Sequence, residues 1–231
     1  MKGIIFSGES IPAVGDGRKR MTRRVIVPQP PEGIDHIIGP EMYEPAVIKD
    51  GDIVPGKPIF GVYDARGEWG ARCPYRPGEV VYVKETWADV NSENGPGFAY
   101  KADHHLKFCI DDAYPVEYER YPNCAFTMWC GDLWRGEPGH KWRSARYMPE
   151  FAARLFLLVK AVRAEKLQDI TGDDLWAEGF GASPEYMTPY IYGVAKTEFK
   201  HQWDSLNAKR GYSWESNPWV WVYQFERTEA V

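Results

Sequence analysis

The run Val80-Val81-Tyr82-Val83-Lys84-Glu85-Thr86-Trp87 constrains the fold of this chain more than any other stretch. β-branched and aromatic side chains suit a pleated, packed surface, so the run predicts a central strand launched by the turn Arg76-Pro77-Gly78-Glu79. Ile4-Ile5-Phe6 predicts a short strand, Val25-Ile26-Val27 another stopped by Pro28, and Leu155 to Val162 a further one. Trp219-Val220-Trp221-Val222-Tyr223-Gln224-Phe225 predicts a terminal strand on which Trp219 and Trp221 share one face as core residues. Thr171-Gly172-Asp173-Asp174 has the form of a capping box, with Leu175-Trp176-Ala177-Glu178 as a short helix and Gly179 as its stop. Two irregular stretches remain, residues 28–75 and about 88–140, the second with a short strand at Phe98–Ala102 and turns at Asn94–Gly97 and Pro122-Asn123. Irregular segments of that length inside a domain are usually functional or form a subdomain.

At 231 residues the chain can bury a sizeable core as one elaborated domain. Its aromatic content of 15%, with ten Trp, fits either an aromatic-rich β core or a pocket that stacks planar ligands. The apolar run in Met1–Ser7 is too short for a signal-peptide core and no later run approaches a membrane span, so a cytoplasmic protein without a membrane partner is expected. Cys73, Cys109, Cys124 and Cys130 form no Cys-x-x-Cys pair and read as reduced thiols. Cys124 and Cys130, with His104, His105 and His140 nearby, match no usual zinc spacing, and no metal is expected.

Against a formal net charge of −5, Gly17-Arg18-Lys19-Arg20-Met21-Thr22-Arg23-Arg24 concentrates five basic side chains around one threonine. A compact positive field in an acidic protein suggests a cleft for an anionic ligand, a nucleotide or a nucleic-acid phosphate; a solvated basic turn is the alternative. Glu178 falls in the last turn of the predicted helix, where the macrodipole disfavours an anion by a few tenths to about 1 kcal/mol. Such a position hints at a role; an exposed glutamate on a short helix is the reading the local sequence favours.

Gly-Arg-Lys-x-x-Thr-x-Arg near the N-terminus, Pro-Gly-Glu before a strand ending Lys-Glu-Thr-Trp, Leu167–Thr171 leading to Ala177-Glu178-Gly179, and an aromatic final strand occur in that order. Together they resemble the activating signal cointegrator homology (ASCH) family, over roughly residues 3–27, 76–102, 142–179 and 201–226. Met-Thr-Arg-Arg-Val, Lys-Glu-Thr-Trp-Ala and Asn-Pro-Trp-Val-Trp-Val resemble the longer members encoded by bacteriophages and prophages. The resemblance implies a mainly β fold with flanking helices (α+β), a PUA-like β-barrel forming a single domain over residues 1–231, with elaborations at about 28–75 and 103–140. It also implies a bacterial or phage-infected host cell. In the family's N4-acetylcytidine amidohydrolases a Lys, a Thr three residues later and a Glu on the downstream helix are catalytic; by motif position these are Lys19, Thr22 and Glu178. Arg20 departs from those enzymes, which carry a Thr there, and a cation beside the pocket would favour a phosphate-bearing substrate or a strand.

A threonine hydroxyl is a weak nucleophile until a base takes its proton, and lysine can be that base only when neutral. Crowding by Arg18, Arg20, Arg23 and Arg24, together with burial, would favour the neutral amine. Glu178 could protonate the departing amine and then help water attack the acyl-enzyme, without a metal or other cofactor. Arg20, Arg23 and Arg24 are candidate substrate contacts. Glu85 and Trp87, at the end of the central strand, could hydrogen-bond and stack on a base, or be a paired glutamate and a core tryptophan. Trp142 and Arg143 sit in the basic and aromatic stretch Lys141–Tyr147, which reads as a nucleic-acid contact or as a surface loop anchored by its tryptophan. The leading expectation is a metal-independent amidohydrolase acting on an N4-acylated cytosine nucleoside or nucleotide. The alternative is a non-catalytic module binding single-stranded RNA or DNA, including a phage accessory protein.

Overall fold

The computed structural model describes residues 1–109 and 120–229. In chain order its strands and α-helices are β1 (Lys2–Ile5), α1 (Ile11–Gly15), β2 (Met21–Val25), β3 (Ile38–Tyr43), β4 (Ala46–Lys49), β5 (Asp52–Pro55), β6 (Ile59–Tyr63), β7 (Gly70–Arg72), β8 (Val80–Lys84), β9 (Trp87–Val90), β10 (Gly97–Tyr100), β11 (Leu106–Phe108), α2 (Cys130–Arg135), β12 (Phe156–Lys166), α3 (Gly172–Ala177), α4 (Pro189–Asn207) and β13 (Trp219–Thr228). The chain is therefore mainly β with a few helices. The elaboration expected at 28–75 is a set of short strands, whereas that at 103–140 lies partly outside the described residues. Chain contacts divide the protein into two units.

The first unit comprises Met1–Gly17, Val80–Leu157 and the chain end from Arg227. β8 pairs in parallel with β1, from Lys2↔Val81 to Ile5↔Lys84, and Val83 N–H donates to the Leu155 carbonyl at 2.9 Å. The expected central strand through Trp87 is interrupted. The chain leaves β8 at Glu85, whose carboxylate accepts two hydrogen bonds from Arg154 at 2.8 Å each, and Trp87 opens β9, paired antiparallel with β10. Trp87, Phe98, Tyr100, Phe126 and Met148 build the aromatic core of this unit, with Trp87 and Phe98 edge-on at 5.8 Å.

The second unit comprises Arg18–Glu79 and Leu158–Glu226. In it β13 lies between β12 and β2, with β2 antiparallel from Val220↔Val25 to Gln224↔Met21. The strand expected at Val25–Val27 thus runs earlier, as Met21–Val25, and Thr22, Arg23 and Arg24 lie on it rather than in a loop before it. Pairing with β13 and carboxylate partners for the inward-facing arginine outweigh the poor strand propensity of a basic run. Val27 is exposed and contributes little to the core.

The inner apolar face of β2 and β13, Met21, Val220 and Val222, packs with Leu175, Phe199, Trp203 and Trp214. Two of these lie on α4, a helix that the reading of the sequence overlooked. Its signals were present: Thr188 caps it, accepting from Ile191 N–H, Pro189 opens it, and Ala195, Phe199 and Trp203 recur every four residues. Trp219 and Trp221 are buried, as expected of core residues.

Candidate active site

The site grows from the end of α3. Thr171 Oγ1 accepts from Asp174 N–H at 3.1 Å while the Asp174 carboxylate accepts from Thr171 N–H at 3.2 Å, the anticipated capping box. At the other end Gly179 adopts φ +94°, and Gly179 and Phe180 N–H groups donate to the carbonyls of Trp176 and Leu175 in a Schellman arrangement. The next two carbonyls are satisfied by the basic segment. Arg20 N–H donates to Ala177 O, and Lys19 Nζ to Glu178 O, both at 2.7 Å. The last four carbonyls of the helix are thereby capped, which fixes Lys19 against Glu178.

Glu178 is 4% exposed, at the negative end of the helix dipole, and two cations hold it there. Lys19 Nζ donates to Oε2 at 2.5 Å and Arg23 Nη1 to Oε1 at 3.3 Å. Burial, the largest influence, lowers the Lys19 pKa; Glu178 opposes this, and the positive charges of Arg24 and Arg23 reinforce it. Arg23 also donates through Nη2 to Glu165 Oε1 at 2.6 Å and to Asp174 Oδ2 at 2.7 Å. Arg163 closes the network on the same two carboxylates, each at 2.7 Å.

Glu165, Asp174 and Arg163 were missed as members of the site. The available signal was Arg163-x-Glu165, two like-facing charges on a strand, beside the capping-box aspartate. Burial alone would raise the Asp174 pKa, but the hydrogen bond from Arg163, the charge of Arg23 and the Thr171 amide bring it below the ordinary carboxylate range.

Thr22 is buried on β2 opposite Tyr223, and strand alternation puts it and Arg24 on the face away from Arg23. Tyr223 is buried there, its ring edge-on to Tyr75 at 5.3 Å and its hydroxyl 3.4 Å from Cys73 Sγ. The structure brings Lys19, Arg23 and Glu178 together, while no hydrogen bond among the described residues joins the Thr22 hydroxyl to Lys19 or Glu178. Of the basic segment, Arg18 and Arg20 are exposed, Arg24 is half-buried, and Lys19 and Arg23 are interior.

No protein-family model, curated protein or solved structure matches the chain. The chemistry of the side chains themselves therefore carries the functional reading.

The remaining candidates lie in the first unit. Glu85, 1% exposed, is held by Arg154; burial raises its pKa despite the hydrogen bonds and charge of that arginine. Trp87 is enclosed in the aromatic core, and Trp142 packs against Ala88, Val90, Ala99, Cys130 and Leu133. Arg143 reaches Asp89 Oδ1 at 2.5 Å, with its guanidinium 5.1 Å from the centre of the Trp87 ring. These contacts give all four residues structural work.

Proposed function

We propose that the chain is an ASCH-type, PUA-like domain and a metal-independent amidohydrolase of N4-acylated cytosine nucleosides or nucleotides, with Lys19 as base, Thr22 as nucleophile and Glu178 as proton donor. The observation that carries this reading is the buried Lys19–Glu178 contact at 2.5 Å, around a lysine whose pKa burial lowers. Transfer of one proton along that hydrogen bond produces both species the reaction needs, a neutral amine and a protonated carboxyl. Lys19 then takes the Thr22 proton as Oγ1 attacks the acyl carbon. The tetrahedral intermediate collapses with cleavage of the C–N bond, and Glu178 gives its proton to the cytosine amine. Water, deprotonated by the Glu178 carboxylate, cleaves the threonyl ester, and the Lys19 ammonium returns its proton to the departing Thr22 oxygen. Substrate binding has to bring the Thr22 hydroxyl within hydrogen-bond reach of Lys19.

Incubation with N4-acetylcytidine, following release of acetate and cytidine, tests the reading. Thr22→Val keeps the branched shape and removes the hydroxyl, so turnover should fall by about a hundredfold or more while cytidine binds within a few-fold of wild type. Absence of turnover by the wild-type protein on N4-acylated cytosines would remove the hydrolase reading.

Exposure of Arg18 and Arg20 favours a second reading, a module for single-stranded RNA or DNA. With about two phosphates neutralised by them, log affinity should fall against log salt with a slope of about −1.4. A much steeper slope would require basic groups outside this segment.

A further inference from the structure

The strands within residues 38–72 build a concavity, in the second unit, that the proposed reaction does not use. β3, β6 and β7 form an antiparallel sheet in the order β3-β6-β7, and a cavity of about 620 Å³ opens where the β6–β7 turn meets the end of β3. Its aromatic lining is Tyr43, Tyr63 and Trp69, and its acidic lining includes Glu44 and Glu68. The Tyr43 and Tyr63 ring centres are 4.7 Å apart.

Local chemistry fixes this lining before any ligand arrives. The buried Asp64 carboxylate accepts from Trp69 N–H at 2.6 Å and from Arg66 N–H at 2.9 Å, tying the turn to its own ends. Tyr63 Oη donates to Glu41 Oε1 at 2.6 Å, which orients its ring. Gly70 makes room for the other tyrosine, since a Cβ there would lie 2.4 Å from Tyr43 Oη. Asp64 is thus consumed by the turn. Glu44 and Glu68 are both exposed, and neither has an ion-pair partner among the described residues. Arg66 is the one basic side chain in the lining, against Glu44, Asp64 and Glu68.

We propose that this cavity binds an alkylated ammonium group, with the tyrosine rings as its contact surface and Glu44 and Glu68 as its counter-charges. Aromatic rings attract a cation through the negative potential of their faces, and a methylated ammonium presents apolar methyl groups to them while sharing its charge with nearby carboxylates. A neutral apolar ligand would leave the two carboxylates unused, and an anion would face their repulsion.

The test uses the full chain and isothermal titration with choline and its uncharged isostere 3,3-dimethylbutan-1-ol. Choline should bind saturably, at least about tenfold more tightly than the alcohol. Glu44→Gln with Glu68→Gln should weaken choline binding by about fivefold or more, as should Tyr63→Leu. Tyr63→Phe, which retains the ring, should stay within about twofold and separates loss of the aromatic face from general unfolding. A short peptide carrying trimethyllysine distinguishes the source: tighter binding than choline assigns the group to a protein side chain, and weaker binding assigns it to a free small molecule. Equal affinity for choline and the alcohol, or no saturable binding of choline and the peptide, overturns the proposal.

Discussion

Replacing Arg23 with methionine probes the charge network most directly. The Arg23 side chain is fully buried, at 0% exposure, and meets Glu178, Asp174 and Glu165, themselves 3%, 10% and 17% exposed. Methionine keeps an unbranched apolar stem beside Met21 and removes the guanidinium with its charge and hydrogen bonds. Breaking a buried ion pair from one side costs about 3–5 kcal/mol. Here Glu178 keeps Lys19, and Glu165 and Asp174 keep Arg163, so the expected loss is at the lower end, about 3 kcal/mol. For a chain of this size that is a fall in Tm of about 6–12 °C.

The pH dependence of the loss follows from Asp174. Its pKa is lowered by folding, so the stability it contributes is fully present above the unfolded value of about 3.9 and disappears as pH falls through the lower folded value. Arg23→Met should therefore cost most at pH 7 and progressively less as pH falls below about 4. Urea unfolding followed by circular dichroism, with an unchanged slope and a shifted midpoint, measures both quantities. A loss under about 1 kcal/mol at pH 7, or one independent of pH, would refute the view that these carboxylates depend on Arg23.

Arg154→Met in the first unit should be similarly severe, about 3–5 kcal/mol, because it leaves Glu85 buried with no counter-charge. Since burial already raises the Glu85 pKa, that loss should shrink as pH falls and the carboxyl protonates; adding Glu85→Gln should restore much of the stability at pH 7, as urea unfolding will show. Burial pushes both the Cys109 and Cys124 thiols up to about 11. Iodoacetamide at pH 8 should label them about a hundredfold more slowly than free cysteine, and rapid labelling of the native protein would contradict this environment.

Local signals in the sequence carried much of the secondary structure. The β-branched run before Lys84, the aromatic run from Trp219 and the short strand near Ile4 are strands because each has a side-chain pattern that only a packed pleated surface satisfies. Thr171, Asp174 and Gly179 determined both ends of α3 because caps depend on residues three or four positions apart. The sequence also marked Lys19 and Glu178, through an unusual local charge and an anion at a helix C-terminus. Only the tertiary structure decided which strand Thr22 and Arg23 occupy, because pairing with β13 supplies that register from about 200 residues away. It alone joined Arg23 to Glu165 and Asp174, and turned Glu85, Trp87 and Arg143 toward internal partners. A charge or ring has the same local signature in solvent and in an ion pair or core; only the side chains folded around it determine whether it remains available to a ligand.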